Sequence, residues 1–185
     1  MKVAVAAMVV SSCFAQACYL GNASTTGVGP GAPVTNGDAS PNSDAGLDPY
    51  GTPVKCSSGS TWSGGEGSPE MHPGLACIAC HARGEGPRFA VAGTVFPTAH
   101  EPDDCYGASS SVTVVITDSA GKVLDLTTNG AGNFSYRGTL SLPYTAKVAV
   151  NGQERAMGTA QTTGDCNSCH TVTGANGAPG RIMAP

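Results

Sequence analysis

The chain has 185 residues, nine Lys and Arg against thirteen Asp and Glu, and a formal charge of −4. Its 26 Gly and 13 Pro amount to about 21% of the chain, against roughly 12% in an average protein, while charged residues are 12% and aromatics 5%. This composition excludes a long helical bundle and a coiled coil, and with no basic excess to neutralise phosphates it excludes a nucleic-acid partner. Eight Cys and four His stand out.

Residues 1–17 read as a secretory signal peptide. A Lys2 start is followed by a short apolar run over 3–10 and then by small residues, too short for a bilayer span. Cys13 and Cys18 each follow a lipobox-like stretch, VVSSC and AQAC, and plain cleavage after Ala17 is a third reading. Cysteine parity favours Cys18 as the lipid anchor: with Cys13 lost in the leader and four Cys committed to motifs, Cys56 and Cys105 remain as an even pair. Residues 18–55 form a tether. Its 21–49 stretch has three Asp, no Lys or Arg and no aromatic. It cannot bury enough apolar surface to offset ordering entropy and reads as a disordered spacer of about 30 Å.

Ordered sequence begins near Tyr50. Cys77-Ile-Ala-Cys80-His81, in a segment over 56–87, and Cys166-Asn-Ser-Cys169-His170, in one over 161–185, are both C-x-x-C-H. That is the signature of covalent haem c attachment. Two thiols add across the two vinyl groups on one porphyrin edge, and the adjoining His supplies the proximal nitrogen. The expectation is two haems, on Cys77, Cys80 and His81 and on Cys166, Cys169 and His170. A redox dithiol would need a βαβ setting that is absent from the pattern, and a four-Cys zinc site would leave the fifth-position His as coincidence.

The other two histidines, His72 and His100, close the count for bis-His ligation, and each sits beside a proline. Met71, Met157 and Met183 are the competing sixth ligands. His72 is five residues before Cys77, at most about 17 Å of chain, a tight path round a haem edge that leaves it open to serve the other haem. Cys56 and Cys105 are expected to pair around the first motif, and Trp62 to pack on a haem or on the β-domain.

Between the motifs, over 88–160, the period is two. Strands are expected over 89–96, 112–117, 122–128, 133–137, 144–150 and 153–159, with turns at Asp118-Ser-Ala-Gly121, Asn129-Gly-Ala-Gly132 and Asn151-Gly152. Short β-branched runs between Gly/Asn/Asp turns predict a mainly β chain, an antiparallel β-sandwich flanked by the two haem segments. The stretches AGTVF, VTVVITDSAGKVLDLTTNGAGNFSY and LPYTAKVAVNG resemble the carboxypeptidase-regulatory or transthyretin-like β-sandwich over about seventy residues. Taken whole, the chain resembles exported multihaem c-type cytochromes in which haem motifs flank such a domain. It departs from the helical wrap of class I cytochrome c.

These readings converge on electron transfer by an exported dihaem cytochrome at the periplasm or outer cell surface, lipid-anchored to a membrane. Expected partners are redox proteins such as other cytochromes, and further copies of the chain if self-association brings haems together. Catalysis of the dihaem-peroxidase type is the alternative; it needs a five-coordinate iron and a distal acid–base pair not already claimed as ligands. A β-sandwich adhesion or glycan-binding module with passenger haems is the third reading.

Overall fold

Period-two sequence becomes sheet throughout the middle of the chain. The computed structural model describes residues 50–51, 55–65, 67–109 and 111–185, all within the unit Ser43–Pro185. The expected leader, Cys13, Cys18 and most of the tether lie outside the described residues. No helix among the described residues is long and apolar enough to cross a membrane.

Seven strands form among the described residues: β1 Val91–Phe96, β2 Thr113–Asp118, β3 Val123–Thr127, β4 Asn133–Tyr136, β5 Tyr144–Val150, β6 Gln153–Ala156 and β7 Ile182–Met183. They build two sheets, ordered β4-β1-β7 and β3-β2-β5-β6. Val91, Val95 and Phe134 from the first sheet meet Val112, Val114, Ile116, Tyr144 and Val148 of the second in one buried cluster. Two sheets over one core is the layer arrangement of a β-sandwich. One helix, α1 over Cys77–Cys80, runs into a wider helical turn over His81–Glu85.

The turns follow from side chains that replace backbone partners. The Asp118 carboxylate accepts N–H groups of Ala120, Lys122 and Ser141 at 2.9, 2.9 and 3.1 Å, led by Lys122, and these hold it below the ordinary carboxylate range. Asn129 Oδ1 likewise accepts from Ala131 and Asn133, each at 3.0 Å.

Two features correct the sequence reading. The sheets are not purely antiparallel, because β7 pairs parallel with β1, Val95 opposite Ile182 and Phe96 opposite Met183. Nor is the 161–185 segment a mere flank, since its last residues complete the first sheet. The reason is burial: Ile182 and Ala184 pack against the core cluster, and the 164–181 crossover returns the chain in the parallel sense. All six residues of β1 are buried. Val91 and Val95 face the core, while Ala92 and Thr94 on the other face lie under the two motif segments through backbone and side-chain contacts.

Cys56 and Cys105 form a disulfide across a sequence separation of 49, worth about 4 kcal/mol in the chain-entropy account. Ile116 is fully buried between the sheets. Ile116→Ala should therefore cost about 2–5 kcal/mol, read as a lower urea midpoint at unchanged slope. A loss under about 1 kcal/mol would mean the sheets do not share this core.

Candidate functional site

The two C-x-x-C-H motifs, far apart in sequence, meet on the outer face of β1. On the core face of the same strand Gly93 leaves room for Cys166: a Cβ there would lie 2.9 Å from the Cys166 Cβ and from the Phe134 ring. Thr94 Oγ1 accepts the Gly74 N–H at 3.0 Å and donates to Asn133 Oδ1 at 2.7 Å. Asn167, the first intervening residue of the second motif, is 2% exposed. Its Oδ1 accepts the Thr94 N–H at 3.0 Å, and its Nδ2 lies 2.9 Å from the Leu75 carbonyl, 3.1 Å from Thr94 Oγ1 and 3.8 Å from Cys77 Sγ. Asp165, 7% exposed, turns Oδ2 onto the Ala79 N–H at 2.8 Å, an anion at the start of α1 where backbone N–H groups lack helical partners. Burial nevertheless pushes its carboxyl above the usual range, against the backbone bonds that lower it.

Arg181 closes the junction. It is 3% exposed. Its guanidinium donates to the carbonyls of Glu101, Gly74 and His170 at 3.0, 2.8 and 3.4 Å and to Asp103 Oδ1 at 2.5 Å. The tail that carries the second motif is thereby bound to the chain just before the first.

The histidines share one arrangement. Nδ1 of His81 lies 3.0 Å from the Pro87 carbonyl, Nδ1 of His170 2.8 Å from that of Gly180, and Nδ1 of His100 2.5 Å from that of Val172. Nδ1 of His72 meets Asp104 Oδ1 at 2.9 Å. A carbonyl oxygen only accepts, so Nδ1 of His81, His100 and His170 is the donor, and in the neutral ring Nε2 then keeps its lone pair, the tautomer of a histidine that ligates through Nε2. Close packing fixes the rings: a Cβ at Gly86 would lie 2.5 Å from His81 Nδ1, and one at Gly180 3.1 Å from His100 Cε1. Burial holds the His170 imidazole below the ordinary histidine value, partly opposed by the Gly180 bond, and so neutral at pH 7.

His100 and His170 are brought together on the 170–181 loop. His72 sits at φ 43°, with its ring 3.9 Å from that of Trp62. Trp62 thus packs on a histidine rather than on the sandwich core. Met157 and Met183 line a cavity of about 700 Å³ together with Cys166, Cys169 and His170, a volume within the roughly 300–1,000 Å³ of ligand sites. Its far walls are core residues, Val114, Ile116, Phe134 and Val148. Asp165 also lines it, and Oδ1 of that buried carboxylate has no hydrogen-bond partner among the described residues. Met71 is half-buried, with its carbonyl accepting from Asn133.

No family model, no curated protein and no solved structure matches this chain. Its chemistry rests on geometry. Cys77, Cys80, Cys166 and Cys169 are free thiols, and burial pushes Cys77 and Cys166 each up to about 12. A reactive dithiol or a thiolate ligand needs the opposite, a stabilised thiolate. Among the described residues no three or more of His, Cys, Asp and Glu converge as a bare ion would require. A thioether carries no charge and no S–H, so it suits the Cys77 and Cys166 positions. The free Nε2 atoms, the apolar cavity beside His170 and the orphaned Asp165 oxygen all fit a large, covalently held group.

Asp165, Asn167 and Arg181 escaped the sequence reading. A signal existed for Arg181, the one Lys or Arg after Arg155, whereas Asn167 occupies a motif position that accepts any residue. Asn167→Ala would leave the Thr94 N–H buried without a partner and should cost about 2–4 kcal/mol. Asn167→Asp should do no better, since it loses the donor to Leu75 and buries a charge. Chemical unfolding of both variants checks this. A loss below about 1 kcal/mol would show that the motifs do not depend on this bridge.

Proposed function

We propose that the protein is an exported c-type cytochrome that carries two covalent haems and passes single electrons between redox proteins. The observation that carries the reading is the common state of the four histidines: every Nδ1 is held by an oxygen, leaving four Nε2 atoms for two irons. Cys77 and Cys80 hold the first haem and Cys166 and Cys169 the second. His81 and His170 are the proximal ligands, and His72 and His100 the sixth ligands. Bound haem supplies a one-electron iron couple. The chain's own residues do the rest. Oxygen acceptors orient the imidazoles, the two sheets exclude water beside His170, and Asn167 and Asp165 fix one attachment segment against the other.

The β-unit is of the carboxypeptidase-regulatory type on its sequence motifs, and it serves as scaffold. Export fits the Cys56–Cys105 disulfide, which persists in an oxidising compartment, and Cys18 is the lipid anchor. Partners are other cytochromes or further copies of the chain.

Near-infrared magnetic circular dichroism of the haem-loaded protein tests the ligation. Both haems should be low-spin and bis-His, with no methionine–iron charge-transfer band. His100→Ala should open one iron to CO and leave both haems attached. A methionine band in the wild type would contradict bis-His ligation and turn the assignment to Met157 or Met183. A high-spin, CO-binding wild type would favour catalysis over relay.

A further inference from the structure

At the exposed edge of the second sheet one charged side chain falls in the core-facing row. In the second sheet Val114 lies opposite Val148, and Val148 lies opposite Arg155. Cross-strand neighbours share a face. Val114 and Val148 are core residues, 3% and 4% exposed, so Arg155 extends the core-facing row at the edge strand β6. Lys147 and Glu154 belong to the opposite face and pair with each other at 2.6 Å. The guanidinium of Arg155 has no hydrogen-bond or ion-pair partner among the described residues, and the residue lines the cavity that holds Cys166, Cys169 and His170.

The other charged residues that border the cavity are committed, Lys147 on the opposite face of its strand included. Lys147 is tied to Glu154, Arg181 donates to carbonyls and Asp103, and Asp165 caps α1. Arg155 is exposed at the rim of the apolar cavity, where its fork is open to an anion, and a carboxylate matches that fork in two parallel bonds. Position agrees. Tyr144 Oη lies 4.0 Å from Cys166 Sγ, and Tyr144 is the first residue of the strand that also carries Val148. At about 3.3 Å per residue the four steps between them cover about 13 Å. That is the order of the span from the thioether edge of a haem to its carboxylate edge.

We propose that Arg155 binds a propionate of the haem attached at Cys166 and Cys169. The inference rests on the dihaem reading above and adds an anchor at the opposite edge of the group from its thioethers. The bound carboxylate is balanced by the guanidinium, so the haem does not carry that negative charge unshielded beside the iron.

Spectroelectrochemical titration of the haem-loaded full chain tests it, with haem content measured on every variant. Arg155→Ala should keep both haems, lower one of the two reduction potentials, and leave the other unchanged. Arg155→Lys should recover part of the shift, and Lys147→Ala should move neither potential comparably. Two haems with unaltered potentials in Arg155→Ala would overturn the assignment. So would an equal shift in Lys147→Ala, which would mark a general field effect. A chain without haem at Cys166 and Cys169 would overturn the dihaem reading and this inference with it, and the haem count separates that failure from the others.

Discussion

Everything else in the described structure hangs on a buried polar junction across β1. Thr94 and Asn167 exchange hydrogen bonds there while Asp165 holds α1 and Arg181 draws the tail against Gly74 and Glu101. These groups are almost fully dehydrated, so each missing partner would cost about 1–3 kcal/mol, more than a typical paired bond contributes. A junction of this kind is specific because alternatives are expensive. It fixes which part of the second motif lies against which part of the first.

The junction also explains why β1 is buried on both faces although the chain has few large apolar residues. One face uses the ordinary core of the sandwich. The other is covered by polar segments whose backbone groups are satisfied by Asn167, Thr94 and Arg181 rather than by a second hydrophobic layer. Part of the sandwich core, Val114, Ile116, Phe134 and Val148, lines the cavity beside Cys166, Cys169 and His170. A large apolar group there would complete the core, as the poorly ionising Cys166 thiol at its edge also implies.

Much of this was legible in sequence, for reasons that separate local from non-local physics. The strands were readable because Val112, Val114 and Ile116 alternate with Thr113, Val115 and Thr117 in a β-branched run and because Asp118 and Asn129 carry their own turn chemistry. Only the ends moved: β1 begins at Val91 and β6 stops at Ala156. β7 was not readable, since two residues ahead of a terminal Ala-Pro carry no period, and its parallel pairing depends on a long crossover. The meeting of the motifs was equally hidden, because it follows from strand parity and from Asn167, whose position in the motif is silent. Arg155 looks like any edge-strand charge until the β5–β6 register puts it opposite Val148. The histidine tautomers needed coordinates, since Pro87, Val172 and Gly180 offer only backbone oxygens.

Intact-mass measurement of the mature protein, exported through a c-type maturation system and unfolded before analysis, addresses the central claim most directly. The account predicts a single species carrying two covalent haem adducts, one removed by substituting Cys77 and Cys80 and the other by substituting Cys166 and Cys169. A mature protein with fewer than two adducts, or with either Cys pair oxidised to a disulfide, would contradict it.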